Sequence, residues 1–161
     1  MTAFYEDREI GEVIELGAHT FTTDEIVAFA SKYDPQRFHM SEEGAADSHF
    51  GRLCASGWHT AAVWMRLFID HHKSELARAE ADGLPIAKLG PSPGFTDLVW
   101  KLPVYVGDTI TYRSTLTSKR VSASRPAWGL LTNRNEGLNQ DGQLVYGFTG
   151  NVFVERRLVA T

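Results

Sequence analysis

Residues 57–72, GWHTAAVWMRLFIDHH, decide how the rest of the chain must fold. Apolar side chains fall at positions 58, 61, 62, 65, 68 and 69, which is helical spacing, while Val63, Trp64 and Leu67 occupy much of the remaining surface. A helix of this kind should be buried on most sides, so another layer has to wrap around it. The remainder of the chain offers a sheet rather than further helices.

Downstream, ADGLPIAKLGPSPG (81–94) is rich in Gly and Pro and reads as an irregular crossing. Four runs rich in β-branched and aromatic residues follow: FTDLVWKLPV (95–104), DTITYRSTLTSKRV (108–121), WGLLTNRNEGL (128–138) and QLVYGFTGNVFVERR (143–157). VGD, SASRPA and NQDG separate successive runs, so the reading is of antiparallel hairpins throughout. Ile110, Tyr112, Ser114 and Leu116 face one way and Thr111, Arg113, Thr115 and Thr117 the other, the period of a sheet covered on one face. With an extended segment near Val13 to Phe21, the expected fold class is α+β: a hot-dog arrangement, an antiparallel sheet of about five strands wrapped around a long central helix. At 161 residues, 43% apolar and 22% charged, residues 1–161 read as a single domain. Such a sheet leaves an edge strand, and pairing it with a second copy makes a homodimer the expected assembly.

Upstream, TTDEIVAFASKY (22–33) reads as a helix, with Thr22 and Glu25 at capping-box spacing and Ile26, Val27, Phe29, Ala30 and Tyr33 as its buried stripe. Pro35 disfavours the helical region for Asp34, so YDPQRFH (33–39) leaves the helix there and runs on as a loop or extended segment, a brief helix following from Ser41. It carries a carboxylate, Asp34, and an imidazole, His39. Ser56 and Gly57 stand where the buried helix begins, and the unpaired amides of a helix start suit an oxyanion; Gly57 would let a ligand oxygen approach the backbone closely. Acid, base and oxyanion donor together suit reversible addition of water to a double bond conjugated with a carbonyl. Taken singly, Asp34 fits a helix-terminating turn, His39 a satisfied core imidazole and Ser56 an N-cap; their order along the chain favours the chemical reading.

YDPQRFH, FGRLCASGWHTAAVWMRL and VWKLPVYVGDTI together resemble the MaoC-like dehydratases, the R-specific enoyl-CoA hydratases of hot-dog fold, over about residues 20–155. That resemblance implies Asp34 and His39 as a catalytic dyad, the Gly57 amide as oxyanion donor, and Gln36, Ser56 and Trp58 as residues touching substrate. It implies a trans-2-enoyl-CoA or (R)-3-hydroxyacyl-CoA thioester as substrate, coenzyme A entering only as part of it, and no separate cofactor. The family's Asn-Pro is absent: positions 36 and 37 read Gln-Arg, and the proline directly follows Asp34. Two further functions fit the same fold, an acyl-CoA thioesterase and a non-catalytic acyl-CoA binding module.

A net charge of −4 without a run of like charges gives no electrostatic footprint for nucleic acid or for a membrane surface. The single cysteine, Cys54, cannot form an internal disulfide and reads as a small packing residue. The N-terminal MTAFYEDREIGEV lacks the basic start and apolar run of a signal peptide, so the expected location is the cytoplasm. His49, His59, His71 and His72 show neither an HExxH helix nor paired cysteines beside them, and no metal site is expected.

Overall fold

A computed structural model describes residues 2–157. The elements run β1 (Val13–Thr20), α1 (Thr23–Tyr33), α2 (Glu42–Ala46), α3 (Gly57–Ala81), β2 (Gly94–Trp100), β3 (Thr109–Val121), β4 (Trp128–Leu138) and β5 (Leu144–Glu155). All five strands join one sheet in the order β1-β3-β4-β5-β2, every neighbouring pair antiparallel. The inner face of the sheet packs on α3 through Leu16, Ile110, Tyr112, Val145 and Phe148, with Trp64 of the helix inserted among them. This is the hot-dog arrangement, and the alternation along β3 holds, with Ile110, Tyr112, Ser114 and Leu116 all buried.

The hairpin expected around VGD is not formed. β2 pairs with β5 at the far edge of the sheet, because both sides of β3 are already taken by β1 and β4. Residues beyond Trp100 turn instead to the start of α3: Val104 accepts from the amide of Ala55 at 2.7 Å, and Val106 donates to Leu53. Gly107, with φ +89°, makes a turn that hands the chain to Phe21 at the end of β1. The run read as a strand over 95–104 therefore ends at Trp100.

α3 is longer than residues 57–72 suggest, since the helix formers of KSELARAEA carry it on to Ala81. It is also not buried on most sides. One sheet covers one side of a helix, and Trp58, Met65 and Ile69 are left exposed on the other. α1 has its capping box, with Thr22 and Glu25 bonded reciprocally, and buries Ile26 and Ala30. Tyr33, expected in the buried stripe, is 71% exposed: the helix stops beside it, and its ring lies on Phe29 at the surface.

Candidate active site

Asp34 closes α1. Its amide still bonds to Ala30 at 2.9 Å, but at φ −154° and ψ 66° the backbone has left the helix, as the following proline requires. A short 3-10 turn, Arg37–His39, then folds the chain back, and the amide of Cys54 anchors it by donating to the Phe38 carbonyl at 3.2 Å. His39 is thereby buried against the strand-like segment that leads into α3. Its Nδ1 lies 2.7 Å from the Cys54 carbonyl oxygen. A carbonyl can only accept, so Nδ1 carries the proton and the neutral ring keeps its lone pair on Nε2. That Nε2 is 3.5 Å from Oδ2 of Asp34, longer than a good hydrogen bond and short enough for one small polar group to touch both.

Both carboxylate oxygens of Asp34 are held. Ser56 Oγ donates to Oδ2 at 2.6 Å and Gln36 Nε2 to Oδ1 at 2.8 Å. Burial by itself would raise the Asp34 pKa, but these two bonds, aided by the neighbouring His39 imidazole, outweigh it and hold the carboxyl below its ordinary range. Ser56 also caps α3, accepting from the Trp58 amide at 3.2 Å. Gln36 and Ser56, expected as substrate contacts, thus grip Asp34, and both line the cleft. Because Ser56 immediately precedes Gly57, its bond ties the carboxylate to the helix start.

The amide of Gly57 has no acceptor among the described residues, as the first turn of a helix dictates. Its carbonyl accepts from Trp100 Nε1 at 2.9 Å. A Cβ at position 57 would stand 2.5 Å from the Trp100 ring, so the close approach the glycine allows is taken up by that indole. Trp58, about half exposed, meets Trp100 edge to face with centroids 5.1 Å apart.

These residues surround a cleft of about 450 Å³ whose lining also includes Phe50, Val104 and Lys101, the one lysine or arginine in it among the described residues. A second chamber, of about 270 Å³, lies between α3 and the sheet, and Trp58 belongs to the walls of both. Sequence reading missed Trp100 and Lys101. They sit some 40 residues downstream of the helix start in chain order, and only the long-range return of β2 delivers them. Cys54 is buried, its thiol pKa pushed up to about 11 by burial, and its contribution here is the backbone carbonyl that orients His39. No cluster of three or more His, Cys, Asp or Glu side chains arranged to hold a metal occurs among the described residues.

The family described as MaoC like domain matches residues 7–129. The chain belongs to the MaoC-like family. The solved structure of a MaoC-like dehydratase from Rhodospirillum rubrum is 34% identical, with 98% of this chain and 99% of that one covered and a TM-score of 0.80. R-hydratase PhaJ1 from Pseudomonas aeruginosa, in its unliganded form, superposes over 99% of this chain and 93% of its own with a TM-score of 0.66, and at 17% identity the likeness is one of fold. The uncharacterized protein YdeM of Bacillus subtilis is 36% identical over 61 residues, which is 38% of this chain and 43% of that relative, so less than half of its length is matched. Among the described residues no helix of this MaoC-like chain is long and apolar enough to cross a membrane.

Proposed function

We propose that this MaoC-like protein is a hydro-lyase acting on an acyl-CoA thioester, adding water to a trans-2-enoyl group or removing it from an (R)-3-hydroxyacyl group. The observation that carries this reading is the 3.5 Å gap between His39 Nε2 and Asp34 Oδ2 within the cleft that Gly57 also lines. A water lodged there can donate one proton to the imidazole lone pair and the other to the carboxylate. As its oxygen bonds to C3 of the enoyl chain, the proton passes to Nε2 and the π electrons move toward the thioester oxygen, where the Gly57 amide stabilises the enolate. Returning a proton to C2 completes the addition, so no atom is left over. His39 is the better base of the pair, because Asp34 is held as an anion by Ser56 and Gln36 and orients the water.

Coenzyme A is needed only as part of the substrate, and no separate cofactor enters. A homodimer suits the exposed edge strand β2 and the row of Trp58, Met65, Phe95 and Trp100 left open on one side of the protomer.

The test follows the ultraviolet absorbance of short and medium trans-2-enoyl-CoA thioesters with purified protein, beside Asp34→Asn and His39→Ala. Turnover by the wild type and its loss in both variants is the expected result. Release of free thiol from a saturated acyl-CoA would assign a thioesterase instead, and saturable binding without any turnover a binding module.

A further inference from the structure

The second chamber breaks the rule that the inner face of a sheet is apolar. Aromatic and aliphatic side chains wall it, among them Trp64 and Phe68 of α3 and Phe148 of β5, yet its floor is polar: Ser114, Asn133 and Asn135. These three form one patch, for Ser114 is the cross-strand partner of Asn135, and Asn133 lies two residues along the same face of β4. Asn135 is 2% exposed. Its Nδ2 donates to the Asn133 carbonyl at 3.2 Å, which fixes the orientation of the carboxamide and leaves Oδ1 buried with no donor. Trp64 is also buried, and its Nε1 has no acceptor. Phe148 connects the two, since it faces Asn135 across the strands and packs edge-on against the Trp64 ring at 4.7 Å.

Buried polar atoms are nearly always paired, and a patch that is not calls for a partner the chain does not supply, an ordered water or a ligand that displaces it. Asn135 Oδ1 wants a donor and Trp64 Nε1 an acceptor, and the Ser114 hydroxyl and Asn133 carboxamide beside them make no hydrogen bond among the described residues either. A hydroxyl, which both donates and accepts, is the group that suits such a floor. A ketone answers only the indole. A carboxylate would answer neither well, because no lysine or arginine lines the chamber among the described residues. The chamber shares Trp58 with the cleft and follows α3 from Trp58 to Phe68, about 15 Å of helix.

We infer that the chamber takes an acyl chain bearing a neutral hydroxyl away from the thioester, and that Asn135 and Trp64 select it. This rests on the acyl-thioester reading of the cleft, and it sets the specificity of that site.

Binding of saturated acyl-CoAs, which cannot be hydrated, tests it apart from catalysis. Calorimetry compares hexanoyl-CoA with its 4-, 5- and 6-hydroxy forms on the full chain. At least one hydroxy form is expected to bind about tenfold tighter than hexanoyl-CoA. Asn135→Leu should abolish that preference, read as the ratio of hydroxyhexanoyl-CoA to hexanoyl-CoA affinity whatever the absolute affinity, and Trp64→Phe should do the same should the first variant not fold. Equal or tighter binding of the unsubstituted chain, no binding of any of the four, or a preference that survives both substitutions would overturn the assignment. The enoyl-CoA absorbance assay fails or succeeds independently: hydration without hydroxyl preference sinks only the chamber's role, and hydroxyl preference without hydration sinks only the hydro-lyase.

Discussion

The cleft at the head of α3 and the chamber along its side are built from the same helix yet treat their polar groups in opposite ways. In the cleft the two side chains of the proposed reacting set already have protein partners, Cys54 orienting His39 and Ser56 and Gln36 holding Asp34, while the backbone amide of Gly57 is left open. In the chamber Asn135 Oδ1 and Trp64 Nε1 are sealed in with none. Under the proposed function the difference follows from the task of each place. A site that moves protons needs tautomer, charge and distance fixed before the substrate arrives, and hydrogen bonds from neighbours fix them. A site that sorts substrates gains selectivity from groups left unpaired, because a ligand without the matching group leaves them so. Connections between elements supply the first kind of site here, and the faces of α3 and the sheet supply the second.

The contrast is sharpest if disruption of the cleft and of the chamber shows up in different kinetic constants. His39→Ala should lower kcat by about 10²–10⁴ for an enoyl-CoA, the range for loss of a positioned proton acceptor, while binding of a saturated acyl-CoA stays within about twofold. A parallel loss of binding would mean that the two regions are not separable. Gly57→Ala comes next. Its Cβ would collide with the Trp100 ring, and the indole must swing away and release the Gly57 carbonyl. Trp100 is partly exposed and can move, so the protein should fold, with kcat down by about 10²-fold as the oxyanion donor is displaced. Restoration of part of that rate in Gly57→Ala/Trp100→Ala would show that the indole, and not the amide alone, is the cause.

In the chamber, Gly150→Val should act on selectivity. Even a single Cβ there stands 2.9 Å from Phe148 and 3.2 Å from Asn135 Nδ2, so a branched side chain must occupy chamber space. The expected result is a KM raised about tenfold for medium-chain enoyl-CoAs with the shortest one unaffected. Equal effects on all chain lengths would place the acyl chain elsewhere.

The two regions also differ in how far the sequence reveals them. The Asp34-Pro35 exit, the spacing to His39 and the apolar helix from Gly57 are local signals, since a proline and a 3.6-residue period act within a few residues. Their convergence needed only short connections, and the structure brings Asp34, His39 and the start of α3 together. What depends on distant pairing was not legible. The VGD turn is a sound turn signal, but nothing local says that the strand before it belongs at the other edge of the sheet, paired with β5. Trp100, and with it the reason for glycine at position 57, follows from that one placement. Tyr33 looks like a core residue by period alone, yet helix termination leaves it outside. The polar floor was half visible: Ser114 falls on the inward face of β3 by alternation, but only the register with Asn135 shows that it is one of a patch.

The smallest expected effect comes from Ser56→Ala, and pH divides it into two parts. Ser56 Oγ caps α3 through the Trp58 amide, and losing that bond costs about 1 kcal/mol at any pH. The same oxygen donates to Asp34 and helps hold its pKa below the ordinary value near 3.8. A group whose folded-state pKa is depressed stabilises the fold at pH above its unfolded value, and that contribution fades as pH falls through the folded one. Chemical denaturation should therefore show Ser56→Ala further below wild type at pH 7 than at pH 3, where part of the carboxylate contribution has faded and the cap deficit persists. In the Asp34→Asn background the pH-dependent part should vanish, leaving a constant difference. The acid limb of the pH–rate profile should move to higher pH in Ser56→Ala, because the carboxylate now protonates more readily. An unmoved limb, with a stability deficit equal at both pH values, would reduce Ser56 to a helix cap and remove the link between Asp34 and the start of α3.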